Sequence, residues 1–366
     1  MPKPLPPVPA LEVGPALQQK LEIASLAIGR LDGIGRFLPD ADSWMYSYVR
    51  KEAVLSSQIE GTQSSLSDLL LHEHKAAPAV PLDDVREVSN YVAAMSHGVA
   101  RMPKLSLSLR LVREVQRVLV TGTRGGASAA GEFRKVPVWI GGSSIETATF
   151  VPPPPNQVQP ALGALETFIH ETKVPALIKA GLVHAQFETI HPFLDGNGRV
   201  GRILIPLVLM LEGALERPWL YVSLYFKRHR SSYYEALQRV RTHGDWEGWI
   251  AFFLDGIAQV ADEGVSLVDR LMKLFEKDRV AVAGSRAGSI YQQAARSSNL
   301  EIFDQLRKKM AITIPETAAA TGISKPTVAR ALQELERLRI AREITGKKRD
   351  RVYVYAEYVA ILNQDA

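Results

Sequence analysis

A short glycine-rich turn lies between two long apolar stretches, and it restricts the chain more than any other feature. Residues Pro175 to Ile190 ahead of the turn carry helical patterning, and the run Ile203-Leu204-Ile205-Pro206-Leu207-Val208-Leu209-Met210-Leu211 follows it. A helix starts inside the turn, at Gly196-Asn197-Gly198-Arg199, and runs to about Gly213. The apolar run is too short to cross a bilayer, which takes roughly 18 uninterrupted apolar residues, so it reads as a buried helix. A polar, glycine-rich segment between such stretches is where chemistry is expected.

The turn reads His191-Pro192-Phe193-Leu194-Asp195-Gly196-Asn197-Gly198-Arg199-Val200-Gly201-Arg202. Gly196 and Gly198 let the backbone turn tightly and leave successive N–H groups pointing one way. Followed by a helix N-terminus, such a nest is suited to phosphate. Asp195 offers a hard oxygen of the kind that holds Mg²⁺ against substrate phosphates. Arg199 and Arg202 are three apart on the first helical turn, so both can reach phosphate oxygens. His191, neutral near pH 7, can accept a proton.

This segment resembles the active-site loop of Fic proteins, HxFx(D/E)GNGRxxR, at every defined position. The resemblance implies ATP as co-substrate, with the α-phosphate attacked by a Ser, Thr or Tyr hydroxyl of a target protein. His191 would be the base and Asp195 the Mg²⁺ ligand. Gly196, Asn197, Gly198, Arg199, Val200, Gly201 and Arg202 would bind the phosphates. Family members that act as kinases lack the second glycine and the downstream arginine, so the resemblance favours adenylyl transfer. The same site run in reverse would hydrolyse AMP from a modified protein.

Upstream, Ser56-Ser57-Gln58-Ile59-Glu60-Gly61 resembles the inhibitory helix of this family, (S/T)xxxE(G/N), with Ser56, Glu60 and Gly61 in place. The implied role of Glu60 is to pair with Arg202 and compete with the γ-phosphate. The segment Lys135 to Phe150 resembles the family's hairpin flap, with Ile140-Gly141-Gly142 as its nucleotide-facing turn and Glu132-Phe133-Arg134 just before it. Tyr233 and Tyr234 lie in a stretch resembling the helix that lines the adenine and ribose pocket.

The fold class expected is mainly α, with helices over 16–30, 43–60, 83–95, 108–119, 157–170 and 175–190. Further helical patterning covers 231–283, with a break near His243-Gly244. Gly61 is placed to stop the second helix. A short hairpin is expected over Val136–Ile140 and Thr147–Val151, and Gly284 to Ser298 reads as a linker. After it, Ile312 to Arg330 patterns as helix, glycine turn and second helix, with Ser324 as N-cap and Pro326 in the first turn. Ile340 to Tyr355 patterns as two strands around a basic turn.

This C-terminal unit resembles a winged helix-turn-helix. In DNA-binding versions Lys325, Thr327 and Arg330 would face the major groove, and Lys347, Lys348 and Arg349 the phosphates. A winged-helix regulator that only senses nucleotide is a further alternative. The expected organisation is therefore an N-terminal helical region over 1–100 and a Fic-type bundle with its flap over 101–260. A connector over 261–298 and the winged helix over 299–366 follow. Relatives of this architecture often pair as homodimers.

Composition bounds the rest. There is no cysteine, which removes disulfides and thiol or Cys-zinc chemistry. The 46% hydrophobic and 23% charged content is that of a globular protein. A net charge of +5 permits nucleic acid or phosphate as partner without demanding either. With no apolar run of signal-peptide or membrane type, the expectation is a soluble cytoplasmic protein.

Overall fold

The computed structural model describes residues 2–37, 41–77, 80–123, 129–284 and 290–364. Among these the chain is mainly helical. The elements run α1 (Pro15–Phe37), α2 (Ala41–Ile59), α3 (Leu66–Glu73), α4 (Leu82–Leu105), α5 (Leu109–Leu119), α6 (Pro155–Glu171), α7 (Ala176–Ile190) and α8 (Asn197–Leu211). Then follow α9 (Ser223–Arg228), α10 (Arg230–His243), α11 (Trp246–Gly284), α12 (Ile290–Lys309), β1 (Ala311–Thr313), α13 (Ile314–Thr321), α14 (Lys325–Arg337), β2 (Ala341–Glu343), β3 (Val352–Tyr355) and α15 (Ala356–Asn363).

The chain divides into two compact units, the first formed by residues 1–36, 48–63 and 86–263. At its centre α7 is buried on every side, from Leu177 through Ile190, and packs along α8, whose residues Asn197 and Arg199 to Leu209 are also buried. A helix apolar all round has no solvent face to offer, so it must be enclosed. Helices α6 and α10 pack on α7, and α5 packs on α8. The amphipathic α5 is started by Ser108, whose hydroxyl accepts from Leu111 N, and buries Leu111, Val112, Val115 and Leu119 at helical spacing. The expected face of α1, Leu17, Leu21, Ala24, Ile28 and Leu31, is buried. Gly61 ends the second helix as expected, at φ 104°, a value that favours glycine.

The second unit comprises residues 37–47, 64–85 and 264–366. Here α12, α13 and α14 pack on a three-stranded antiparallel sheet of order β1-β3-β2. Thr313 caps α13 by accepting from Glu316 N, and Gly322 closes it at φ 71°. In α3, Ser65 and Asp68 form a reciprocal capping box.

Several local expectations change. The stretch expected as a linker over 284–298 is helical from Ile290 onward, since Ile290-Tyr291-Gln292-Gln293-Ala294-Ala295-Arg296 contains good helix formers; residues 285–289 lie outside the described set. The expected hairpin over 136–151 reduces to one bridge, Ile140 to Phe150, closed by hydrogen bonds of 2.8 and 3.1 Å. Pro137 and the glycine pair Gly141-Gly142 limit how far such a ladder extends. Ser324 occupies the N-cap position of α14, but its hydroxyl pairs with Thr327 Oγ1 at 2.9 Å instead of a backbone N–H. Strand β1 and helix α15 were not anticipated.

Candidate active site

The loop between α7 and α8 is held from within and from behind. His191 leaves α7 in the left-handed region, φ 49° and ψ 61°, an uncommon conformation for a side-chain-bearing residue. Arg134 supports it: the guanidinium donates to the carbonyls of His191, Ile190 and Pro153, and Arg134 N donates to Pro192 O at 2.9 Å. Asn197 closes the loop on itself, accepting from Phe193 N at 2.8 Å and donating to Phe193 O at 2.9 Å. Gln116 of α5 donates to Asp195 O at 3.1 Å. Gly196 turns at φ 82°, and the first intrahelical bond of α8 is Val200 N to Gly196 O at 2.9 Å. The N–H groups of Asn197, Gly198 and Arg199 precede it, which is the arrangement that receives anions.

Around this loop lies a cavity of about 360 Å³, lined by Glu60, Glu87, His191, Asp195, Gly198 and Arg199 among others. Glu60 occupies its centre. Its carboxylate accepts from Arg202 at 2.6 Å, and a Cβ added to Gly198 would stand 2.3 Å from Glu60 Oε1. The carboxylate therefore lies directly over the glycine at the start of α8. Ser56 holds the other edge of the guanidinium: its hydroxyl accepts from Arg202 Nε at 2.8 Å and its carbonyl from Nη2 at 3.1 Å. Burial opposes the charge on Glu60, but Arg202, Arg199 and His191 outweigh it and hold its pKa below the usual carboxylate value.

Arg202 is 1% exposed. Burial opposes its charge too, and Glu60, by its charge and its hydrogen bond, restores it, so the guanidinium stays protonated. Arg199 is bound elsewhere, to Glu87 at 2.6 Å and Asp195 at 3.2 Å. Glu87 was not anticipated, because a glutamate on a helix 112 residues upstream carries no local signal.

His191 keeps a neutral ring. Burial and then the positive charge of Arg241 lower its pKa to about 4, against the raising influence of the Glu188 carbonyl and Glu60. Glu188, one turn earlier, is raised to about 7 by burial. Glu52 on α2 is raised to about 7 by the same cause, although Ser223 and Tyr91 hydrogen-bond to it.

Comparison with known proteins fits this geometry. Residues 18–100 match the Fic/DOC family N-terminal model and residues 106–209 the Fic/DOC family model. The chain carries the two domains of the Fic/DOC family. The protein adenylyltransferase Fic of Aedes aegypti is 29% identical over 216 residues, 56% of this chain and 39% of that protein. The one from Drosophila melanogaster is 25% identical over 258 residues, 67% and 49%. The chain thus spans under half the length of these curated relatives. A crystal structure of a Fic family protein from Desulfovibrio desulfuricans G20 shares the fold at TM-score 0.61 and 19% identity, covering 94% of this chain and 97% of that one. Fic-1 from C. elegans (residues 134–508) shares it at 0.53 and 19%, covering 71% and 75%.

Beside the Fic/DOC loop, other anticipated residues take distinct places. Asp195 is the loop carboxylate on the cavity, 42% exposed. No group of three or more His, Cys, Asp or Glu able to hold a metal occurs among the described residues. One carboxylate beside a phosphate nest fits Mg²⁺, which binds through one or two carboxylates, water and substrate phosphates. Asn197 lines the cavity while its side chain is spent on the Phe193 peptide, and Val200 is buried in the core. Gly201 is buried against Glu188 and His184.

Of the two tyrosines expected by resemblance to line an adenine and ribose pocket, Tyr233 is turned into the core. It is 1% exposed, its hydroxyl 2.9 Å from His184 Nε2 and its ring stacked on Phe226 at 4.4 Å, because α10 turns this position toward α7. Tyr234 is 40% exposed and feels the charges of Glu60 and Arg202. In the flap Ile140 is half-buried, and Gly141 and Gly142 are exposed at φ 70° and 74°. Gln238 donates to Thr149 O at 3.1 Å, and Arg241 lies 4.4 Å over the Phe150 ring. In the second unit Lys325, Arg330, Lys347, Lys348 and Arg349 are exposed, while Thr327 is half-buried. No helix among the described residues is long and apolar enough to cross a membrane.

Proposed function

We propose that this chain is an autoinhibited protein adenylyltransferase that moves AMP from ATP to a protein hydroxyl, its own included. The observation that carries the reading is the Glu60 carboxylate, seated on Arg202 and over Gly198 at the mouth of a phosphate nest. A carboxylate held there marks where an anionic group of the substrate belongs. In the open state Arg202 and the first-turn N–H groups of α8 bind the nucleotide phosphates. The His191 ring turns Nδ1 toward Glu188, 4.0 Å from its carboxyl, which leaves Nε2 for the target hydroxyl. Nε2 takes the hydroxyl proton, the oxygen bonds to the α-phosphorus, and the bond to the β-phosphate oxygen breaks to release pyrophosphate. Mg²⁺ at Asp195 would neutralise charge on the phosphates.

Intact-mass measurement after incubation with ATP and Mg²⁺ tests the reading. Glu60→Gly should gain AMP at least tenfold faster than the parent, which needs only about 1.4 kcal/mol of preference for the paired state. Glu60→Gly/His191→Ala should gain none. An unmodified Glu60→Gly chain, with ATP bound no better than by the parent, would overturn it.

For the C-terminal unit the proposal is duplex DNA binding through a winged helix. It is supported by the helix–glycine turn–helix of α13 and α14 and by the exposed basic turn between β2 and β3. Binding of a DNA duplex should fall steeply between about 50 and 200 mM salt, as phosphate contacts predict. No binding at low salt would sink it.

A further inference from the structure

Glu188 touches none of the reacting atoms of the transfer step, yet its surroundings are unusual. It sits on α7 one turn before His191, with 8% of its side chain exposed. Its Oε2 is 4.0 Å from His191 Nδ1. Its Oε1 is buried with no hydrogen-bond partner, facing Gly201, where an added Cβ would come within 2.5 Å. His191 Nδ1 is also turned to Glu188, whose backbone carbonyl is among the influences that raise the ring's pKa. Natural structures rarely leave buried polar atoms unpaired without a reason.

The charges around this pair come from several elements. Arg202 projects from α8, Arg241 and Tyr233 from α10, Glu60 from the end of α2, and His184 from α7 itself. Arg134 adds its charge at His191. In the closed state Glu60 is the carboxylate that touches Arg202, and its negative charge is one of the influences that keep Glu188 protonated. In Glu60→Gly without nucleotide, Arg202 and Arg241 remain and that opposing charge is absent. The base must then take a proton between Arg241 and Arg134, where a second positive charge is unfavourable without a counter-ion.

We propose that Glu188 is the positioning residue of the base: its carboxylate, 4.0 Å from His191 Nδ1, aligns the His191 ring and is the counter-charge for the proton the ring acquires. The inference rests on the transferase reading for its purpose, but its physical content is testable without any turnover.

The sign follows directly. An ionised carboxylate beside an imidazole favours the imidazolium, so it raises the midpoint of His191; a neutral amide does not. Glu188→Gln keeps the shape and neutrality that Glu188 has in the closed state, so the fold should tolerate it. The experiment is NMR titration of the His191 ring, assigned with His191→Ala, in Glu60→Gly and in Glu60→Gly/Glu188→Gln. The double variant should titrate about one pH unit lower. Its AMP transfer should fall chiefly in kcat, with KM for ATP changed less, and the rising limb of its pH–rate profile should move the same way. An unchanged or raised midpoint would overturn the role of Glu188. Absence of AMP transfer in the single Glu60→Gly variant would instead count against the transferase reading, and the ring titration would still decide the fate of Glu188.

Discussion

At the scale of single residues, the Fic/DOC loop depends on glycines placed where other groups come too close. Gly198 leaves room for the Glu60 carboxylate, and Gly201 for Glu188 Oε1 and the His184 ring. A methyl group at Gly201 would sit 2.5 Å from the first and 3.3 Å from the second, inside the packed interface of α7 and α8. Gly201→Ala should therefore destabilise the chain by about 1–3 kcal/mol, the usual cost of overpacking a core. Thermal unfolding would show it as a lowered Tm, and an unchanged Tm would mean that Glu188 moves aside freely. At the same scale, His191 and Tyr233 show how burial divides roles. His191, just past the end of α7, opens onto the cavity, while Tyr233 inside α10 is spent on His184.

At the scale of elements, the loop is held between the buried helices α7 and α8 by hydrogen bonds to its backbone. Asn197 contributes most to that, through two hydrogen bonds to the Phe193 peptide. In Asn197→Ala the Phe193 N–H and C=O would be left buried and unpaired, at about 1–3 kcal/mol for each group. The expected outcome is faster amide exchange over residues 192–196, with α7 and α8 protected as before. Unaltered exchange there would show that Arg134 and Gln116 alone hold the loop. The flap is the opposite case. With one bridge and two left-handed glycines, it holds little strand ladder of its own.

At the scale of the molecule, the buried carboxyls tie stability to pH. Glu52 and Glu188 are both raised to about 7 in the fold, against about 4.5 when unfolded. The fold thus favours their protonated forms. Their contribution is fully present below about 4.5 and is lost as pH rises through about 7. Glu52→Gln keeps a polar partner for Ser223 and Tyr91 and removes the titration. Relative to this variant, the parent should lose Tm between pH 5 and pH 7.5; a constant difference would show that Glu52 ionises normally.

The sequence by itself determined what depends on near neighbours along the chain. Helical periodicity placed α1, α5 and α10, Gly61 stopped α2, and Gly322 separated α13 from α14. The run from His191 to Arg202 was legible because its histidine, glycine turn and arginines lie within twelve consecutive residues. Only the tertiary structure decided which distant groups meet. The Glu60–Arg202 pair spans 142 residues, and the Arg199–Glu87 pair spans 112. A family resemblance suggested the first pair and nothing suggested the second. Glu52 and Glu188 look like ordinary helix glutamates until packing removes their water. Strand β1 went unseen because three residues carry no period and take their form from pairing with β3. Tyr233 was misplaced for the same reason: spacing puts it on a helix, but the neighbouring helices choose which way it faces.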